Sequence, residues 1–287
     1  MKLIATHIAK KQNTSIRIQE YAVGIFKTIP TKSALKKAIK KGLVFVNGEK
    51  TSTASLIKGS EKIELYEVAI DIHSSKKKFD IPLEVLFQDE YLAIINKPAG
   101  VLVSGNSFAT INNALPQVLK KSNLPDATTP RPVHRLDYPT SGLLLIGKTT
   151  SSIIKLNRLF EMKLIQKKYH AISIGKLPKN GEINTPIDTK VAFTKFSVLN
   201  TVPSDRFGCL NLIELQPCTG RRHQLRKHLF SLNSPILGDK DYYLDDLILK
   251  GNGLYLHASS LEFIHPFTSQ TINTSSNLPK KFKRIFP

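Results

Sequence analysis

The chain has 287 residues, of which 41% are hydrophobic, so it is long and apolar enough for one large domain and a smaller one. We expect neither a membrane span nor a signal peptide, because no apolar run approaches the roughly 20 residues of a span and the N-terminus lacks a sustained apolar segment. The 42 Lys and Arg residues outnumber the 22 Asp and Glu residues, and the net charge of +20 favours a polyanionic partner, nucleic acid rather than membrane.

The N-terminal region carries a helix–hairpin pattern that is typical of a small domain. A helix is predicted near residues 16–26, and a second over residues 31–42 with Thr31 or Ser33 as its cap. Residues 43–50 are predicted to form a strand that runs into an Asn-Gly turn. The second helix should bury its apolar stripe and turn four lysines outward, namely Lys36, Lys37, Lys40 and Lys41.

This arrangement resembles, over residues 14–67, the small RNA-binding domain of the S-four type, which is shared with a ribosomal small-subunit protein. The sequence departs from that pattern before the first helix, where Ile-Arg-Ile-Gln at residues 16–19 stands in place of Arg-Leu-Asp. The resemblance implies a lysine-faced platform for an RNA backbone, and a merely solvated lysine face is the alternative. We therefore predict an RNA-binding domain over residues 1–67, a polar linker over residues 68–80 and a catalytic domain over residues 81–287.

The region after residue 80 has a denser pattern of apolar runs. Paired strands are predicted over residues 83–87 and 91–95, and another strand over residues 166–175. Helices are predicted over residues 111–121 and 151–163, the second with Ser151 or Ser152 near its cap.

The stretch from residue 131 to residue 148 is the first candidate for chemistry. Arg135 and Asp137 lie two residues apart in a proline-stiffened loop, and four branched apolar residues from position 143 predict a buried strand directly after it. Charged groups on a short loop against a core strand combine a fixed position with access to substrate. Arg135 and Asp137 are therefore candidate reactive residues, although an isolated pair of this kind is more often solvated.

A second cationic segment follows a strand predicted over residues 211–216. Gly220 should permit a turn, after which the basic run over residues 221–228 is predicted to start a helix. Arg222 and Arg226 are four residues apart, so one helical face would carry both. The positive end of the helix dipole would add to their charge.

Several kinds of chemistry lack their sequence motifs. The histidines and acids have no spacing typical of zinc ligands on one helix face, and Cys209 and Cys218 form neither a zinc pattern nor a disulfide framework, which fits a reducing cytoplasm. Glycine-rich phosphate loops, dinucleotide-binding loops and the nucleophile elbow of hydrolases are also absent. What remains is a carboxylate among cations and an aromatic side chain that could stack on an extruded base. The residues alone thus indicate an enzyme that acts on RNA through Asp137 without a metal.

Six short motifs in this region resemble the signature of the RluA-type pseudouridine synthases and occur in the family's order. They lie within residues 81–267 and comprise Asn96–Gly100, His134–Asp137 with Thr140–Leu145, Lys167–Tyr169, Gly220–Arg226, Leu237–Asp239 and His257–Ala258. Arg222 stands where the family more usually has Thr or Ser, and we expect this difference to tune contact with the RNA backbone.

The resemblance implies an α+β fold in which a mixed, largely antiparallel sheet carries a central RNA-binding cleft. It implies isomerisation of specific uridines in structured RNA, in which uracil is detached from its sugar, turned and rejoined through carbon, with no cofactor and no metal. Asp137 would be the catalytic carboxylate, either by covalent bonding or by removing a sugar proton. With it, Tyr169 and Arg226 would form the catalytic set: Tyr169 would stack on the flipped uracil and could assist proton transfer, and Arg226 would be the ionic partner that positions Asp137. The residues expected to bind substrate are Arg135, which would fill the gap left in the base stack, and His134, Lys97, Arg222, His223 and Gln224.

The sequence leaves several alternatives open. Large-subunit ribosomal RNA is the expected substrate, because family members with such an N-terminal module commonly act there, and transfer RNA is the alternative. A non-catalytic RNA-binding or ribosome-assembly factor and a metal-dependent ribonuclease are the other candidate functions, and we expect a cytoplasmic monomer. Tyr169 could instead be an ordinary edge-strand tyrosine and Arg226 a phosphate binder, whereas His134 and His223 fit loop-fixing hydrogen bonders better than acids.

Overall fold

The computed structural model describes residues 1–26, 28–67, 79–245 and 247–287. The chain divides into two compact units, Met1–Lys76 and Lys77–Pro287. The predicted linker lies outside the described residues except for its last two, so it stays a prediction. Among the helices of the described residues, none has the length and apolar character needed to cross a bilayer.

The N-terminal unit is a small α/β structure around an antiparallel sheet of order β1-β6-β3-β4, with β2 and β5 paired beside it. Its elements are β1 (Lys2–Ile8), β2 (Ile16–Arg17), α1 (Ile18–Tyr21), α2 (Lys32–Lys40), β3 (Val44–Val46), β4 (Glu49–Lys50), β5 (Leu56–Ile57) and β6 (Lys62–Glu67).

The second helix of this unit, α2, forms as predicted. The Thr31 hydroxyl oxygen accepts a hydrogen bond from the Ala34 N–H at 3.2 Å, which caps the first turn. The apolar stripe is buried. Of the four lysines predicted to point outward, Lys37, Lys40 and Lys41 are exposed, whereas Lys36 is half-buried. The hairpin between β3 and β4 also forms, with Asn47 and Gly48 both at positive φ as the tight turn requires.

The predicted helix over residues 16–26 is wrong for most of its length, since only Ile18–Tyr21 is helical. The first two residues of the predicted helix pair with β5 instead. Near the other end of the predicted helix, Gly24 has a φ of +79°, which is incompatible with a right-handed helix. Pairing with β5, which lies about 40 residues further along the chain, thus outweighs the local helical preference of these residues.

The larger unit is built on one extended sheet with helices against it. Its elements are β7 (Glu84–Gln88), β8 (Leu92–Lys97), α3 (Ile111–Val118), β9 (Ala127–Pro132), β10 (Ser141–Thr149), α4 (Thr150–Glu161), β11 (Gln166–Ile174), β12 (Asn180–Ile183), β13 (Thr194–Ser204), β14 (Gly208–Pro217), α5 (Gln224–Ser231), β15 (Leu256–Ile264), β16 (Thr271–Ser275) and α6 (Lys280–Lys283).

The main sheet has the order β12-β13-β14-β11-β15-β10-β8-β7, with β16 beside β15 and β9 beside β10. Among the described strands of this sheet, every pairing is antiparallel except that of β10 with β15. The predicted mixed, largely antiparallel α+β architecture is therefore confirmed.

The central strands β8 and β10 are covered on both faces. Alternate side chains of these strands enter a cluster with Ile111 and Leu115 of α3, and the intervening ones enter a cluster with Leu156 of α4. Two-sided burial explains why β10 reads as a continuous apolar run in the sequence. Helix α4 is capped by Thr149, two residues before Ser151, the first of the two serines predicted near its cap. Ser152 completes the capping box.

The parallel pairing joins the two halves of the sheet directly beside the candidate site. Gly142 pairs with Ala258 in register and has a φ of +112°. A β-carbon at Gly142 would overlap the backbone of Ala258, so only glycine permits this approach. The loop that carries Asp137 is thereby fixed at the point where β10 enters the sheet.

Candidate active site

A cavity of about 760 Å³ opens in the larger unit between three segments of the chain. The segments are the loop before β10, the stretch from the end of α4 into β11, and the turn from β14 into α5. Eight of the nine residues predicted for catalysis or substrate binding in this unit line it, namely His134, Arg135, Asp137, Tyr169, Arg222, His223, Gln224 and Arg226. The fold thus gathers residues that are up to 92 positions apart in the sequence.

Asp137 projects a partly exposed carboxylate into this cleft. Its Oδ2 lies 3.9 Å from Arg226 Nη1, and its Oδ1 lies 3.8 Å from His223 Nε2. Both distances are too long for hydrogen bonds, but the Arg226 guanidinium is close enough for charge attraction. The backbone carbonyl of Asp137 accepts from the Thr140 N–H at 3.0 Å and closes the turn. The backbone at Asp137 is therefore held in place, while the carboxylate oxygens stay available to a substrate.

Lys97 does not line the cleft, which differs from its predicted contact with substrate. Its side chain is fully buried, and Nζ donates to the carbonyls of Pro98 at 2.8 Å and Thr140 at 2.7 Å. Burial lowers the pKa of Lys97 to about 8, against the opposing effect of the nearby Asp137 charge. The ammonium therefore ties Thr140, which follows Asp137 in the loop before β10, to the turn at Pro98.

Arg226 is held by carboxylates that the sequence analysis did not pair with it. Its Nε and Nη2 donate to the two carboxylate oxygens of Asp239 at 2.7 and 2.6 Å, and Nη2 also donates to Asp241 at 2.7 Å. Burial lowers the pKa of Arg226, but the hydrogen bonds and charges of Asp239 and Asp241 outweigh it and raise the pKa overall. The Leu237–Asp239 motif was the available signal, although spacing alone could not assign its partner.

Tyr169 lies in the middle of the sheet rather than at an edge. It is on β11, between Leu215 of β14 and Ala258 of β15. Burial raises the pKa of its phenol, and the Asp137 charge adds to the effect. The phenol therefore keeps its proton at neutral pH and can stack or donate, but cannot serve there as a base.

Each of the two histidines in the cleft uses a ring nitrogen to contact another segment of the fold. His134 Nε2 accepts from the Leu145 N–H at 2.9 Å, and burial lowers the pKa of His134 to about 3, so the ring is neutral. His223 Nδ1 and the Tyr242 hydroxyl are 3.0 Å apart. Burial also lowers the pKa of His223, while the Asp137 charge opposes it.

Helix α5 begins later than predicted, and Arg222 is not on it. His223 has a left-handed φ of +54°, so the helix starts at Gln224. Gly220 is not among the residues at positive φ. The Gln224 side chain instead fixes the turn, because its Oε1 accepts from the Arg221 N–H at 3.0 Å and its Nε2 donates to the Phe193 carbonyl at 3.0 Å.

Comparison with known proteins identifies the family. A family model described as RNA pseudouridylate synthase matches residues 91–231. The chain is 31% identical to the ribosomal large subunit pseudouridine synthase D of Xanthomonas campestris pv. campestris, over 89% of the chain and 83% of that protein. The ribosomal large subunit pseudouridine synthase C of Rickettsia felis is also 31% identical, over 95% of the chain and 96% of that protein. The chain belongs to the RNA pseudouridylate synthase family.

A solved structure agrees with this family membership. The human RNA pseudouridylate synthase domain containing 4 is 28% identical, covers 70% of this chain and 90% of its own, and superposes with a TM-score of 0.57. The synthase resemblance read from the six motifs is confirmed, and the chain is an isomerase that acts on RNA. The S-four resemblance of the N-terminal unit is not tested by these matches and stays a prediction.

The mouth of the synthase cleft is basic. Arg135 and Arg222 are exposed, and neither forms a side-chain hydrogen bond or salt bridge within the part of the chain that the structure describes. Two guanidinium groups that line the same cleft as Asp137 suit a polyanion that must be held close to this carboxylate. Among the described residues, no cluster of three or more His, Cys, Asp or Glu side chains could hold a metal ion.

Proposed function

We propose that this synthase converts uridine to pseudouridine in large-subunit ribosomal RNA, with Asp137 as its catalytic carboxylate. The observation that carries the assignment is the position of the Asp137 oxygens, which lie in the cleft within 4 Å of Arg226 and His223. Two relatives at 31% identity are named ribosomal large subunit pseudouridine synthases, which favours ribosomal over transfer RNA.

The reaction requires a carboxylate at the sugar of an extruded nucleotide. The bond from uracil N1 to ribose C1′ breaks, the base turns, and C5 bonds to C1′ while its proton leaves and N1 gains one. Asp137 assists either by bonding to the sugar or by removing a sugar proton, and both routes need its oxygen beside the ribose. Extrusion costs a few kcal/mol, and the exposed Arg135 is the side chain that we expect to fill the gap in the stack.

The remaining predicted residues divide between contact and support. We assign Tyr169 to stacking on uracil, and Arg222 and His223 to the RNA beside it. Arg226 positions Asp137 by charge, since Asp239 fixes its guanidinium. His134, Gln224 and Lys97 support the loops, because their polar atoms are already bonded to backbone groups.

The N-terminal unit is proposed to bind RNA through the lysines of α2. The predicted domain over residues 1–67 has its own buried core, and the exposed lysine face matches a phosphate backbone in charge. We further propose that the protein works as a monomer in the cytoplasm. Light scattering of the protein alone and with RNA tests the monomer, which would be contradicted by a mass of twice the chain.

The decisive experiment compares wild type with Asp137→Asn on RNA from cells that lack this protein. Wild type should form pseudouridine at a defined position of large-subunit ribosomal RNA, and Asp137→Asn should form none while still binding. Asp205→Asn, a charge-matched change at an exposed position outside the cleft, should behave as wild type. Pseudouridine formed only in transfer RNA would contradict the proposed ribosomal substrate. Wild-type protein that binds RNA but forms no pseudouridine would favour a non-catalytic RNA-binding factor.

A further inference from the structure

Lys167 shares the face of β11 that carries Tyr169. The two residues are two positions apart on the strand, so their side chains project to the same side, and both line the cleft. Lys168 lies between them, projects to the opposite side, and forms a salt bridge with Glu214 at 3.1 Å. The neighbouring lysines therefore have the same charge but different surroundings.

Lys167 also differs from the other lysines that the fold shields from water. Burial lowers the pKa of Lys97, Lys148, Lys281 and Lys167. The first three donate to backbone carbonyls: Lys97 to Thr140 at 2.7 Å, Lys148 to Asp89, and Lys281 to Leu254 at 2.7 Å. Among the described residues Lys167 has neither a hydrogen bond nor a salt bridge, and its ammonium lies 5.7 Å from the centre of the Phe160 ring.

A half-buried cation with neither a hydrogen bond nor a salt bridge is costly, because no partner replaces the water that the charge has lost. A ring at 5.7 Å is near the limit of a cation–π contact and offsets little of that cost. The other three lysines stabilise the fold through their carbonyl partners. Lys167 instead keeps all three donors for a group that enters the cleft.

We propose that Lys167 binds a backbone phosphate of the RNA, at a linkage next to the uridine that stacks on Tyr169. A phosphate carries the negative charge that would neutralise the ammonium and has several acceptor oxygens for its donors. A uracil carbonyl could accept a hydrogen bond but would leave the buried charge uncompensated. The inference rests on the proposed function of the cleft as the place where the target uridine is bound.

The test compares Lys167→Gln, Lys167→Arg and the matched control Lys168→Gln by RNA affinity at several salt concentrations. The probe is a fluorescent RNA spanning the uridine mapped for the wild type, or a uridylate dodecamer if no uridine is mapped. Lys167→Gln should weaken binding about tenfold at low salt and should reduce the slope of log Kd against log salt by about 0.7–0.9, the value for one lost phosphate contact. Lys167→Arg should keep both values near those of wild type, and Lys168→Gln should change neither by more than about twofold.

The linkage can be identified with uncharged substitutions in the RNA. A methylphosphonate is introduced at one linkage at a time, each compared with an RNA that has the same 2′-O-methyl protection and a normal phosphate. At the contacted linkage, wild type should lose affinity and Lys167→Gln should lose none further. Additive losses at every linkage would overturn the proposal, as would an affinity loss in Lys167→Gln with an unchanged salt slope, which would indicate a neutral acceptor.

These outcomes are separable from those of the proposed function. Binding is measured without turnover, so a wild type that forms no pseudouridine can still give the Lys167 effect, and then only the function fails. If pseudouridine forms but Lys167→Gln matches Lys168→Gln in affinity and salt slope, only this inference fails.

Discussion

Arg226 and Asp239 form a two-point ion pair in the interior of the larger unit. The two hydrogen bonds are 2.7 and 2.6 Å long, and the side chains are 3% and 1% exposed. Such a fork fixes both the position and the plane of the guanidinium. The remaining nitrogen, Nη1, is thereby held 3.9 Å from the carboxylate of Asp137. The guanidinium charge next to this carboxylate is therefore fixed in position.

Removing the charge of Asp239 should therefore damage both stability and activity. In Asp239→Asn the buried guanidinium loses its main counter-charge, and breaking a buried pair in this way typically costs about 3–5 kcal/mol. We expect a fall of that size in the free energy of unfolding measured in urea, together with slower pseudouridine formation. The matched control is Asp241→Asn, since Asp241 binds the same nitrogen but is 61% exposed, and it should cost less than about 1 kcal/mol. Equal losses in the two variants would contradict this account.

Tyr169→Phe separates stacking from proton transfer. The substitution keeps the ring and removes only the hydroxyl, whose raised pKa keeps it protonated through the neutral range. If the phenol supplies a proton or a hydrogen bond in the reaction, the single-turnover rate should fall by about a hundredfold or more, while RNA affinity changes less than about twofold. The control Tyr169→Leu should weaken binding as well, because stacking on an aromatic ring contributes about 1–3 kcal/mol per base. If Tyr169→Phe has the same single-turnover rate as wild type, the role of Tyr169 is limited to stacking.

Much of the sheet could be predicted because its strands have strong local signals. The apolar run of β10 is buried on both faces, and the Asn-Gly turn, the capped helix α2 and the strand β11 all lie where the pattern indicates. Eight of the nine residues that the motifs predicted for the site line one cleft. In these cases local preference and tertiary packing agree, so the sequence was sufficient.

The errors occurred where distant contacts decide the outcome. No local pattern indicates that His223 takes a left-handed φ and delays α5. The sequence assigns Lys97 to substrate binding, but the fold brings the carbonyls of Pro98 and Thr140 to its buried ammonium. The partner of Arg226 is 13 residues away, beyond the helix that carries the arginine. Interactions of this kind depend on the assembled sheet and therefore require the structure.

His257 should make the larger unit sensitive to acid. It is 1% exposed, its Nδ1 and Nε2 lie 2.9 and 3.2 Å from the hydroxyls of Ser141 and Ser276, and burial lowers its pKa to about 4. The unfolded chain takes up a proton below its ordinary pKa of about 6.5, whereas the folded one does not until about 4. Stability contributed by the neutral ring is thus complete above pH 6.5 and declines as the pH falls toward 4, by at most about 1.4 kcal/mol per pH unit.

The measurement is urea unfolding at pH 7 and pH 5, followed by circular dichroism. Wild type should lose about 1–2 kcal/mol from this group between the two pH values. His257→Asn should be less stable at pH 7 but should lose that much less on acidification, since asparagine does not titrate. A variant that loses as much stability as wild type would show that other groups cause the acid sensitivity.

The lysine face of α2 should contribute a separable part of RNA affinity. Lys37 and Lys40 are exposed, and the buried face of the helix consists of other residues, so Lys37→Gln with Lys40→Gln should leave the fold intact. Each lost phosphate contact should reduce the slope of log Kd against log salt by about 0.7–0.9, so the double variant should lower it by up to about twice that. The matched control is Lys120→Gln with Lys121→Gln, an equal loss of charge at exposed positions of the other unit. Both double variants remove two charges, so a general effect of net charge would lower the two slopes by the same amount. That result would indicate that the α2 lysines are only solvated and do not contact RNA. A larger loss from the α2 variant alone, with unchanged circular dichroism, is the outcome that RNA binding by this helix requires.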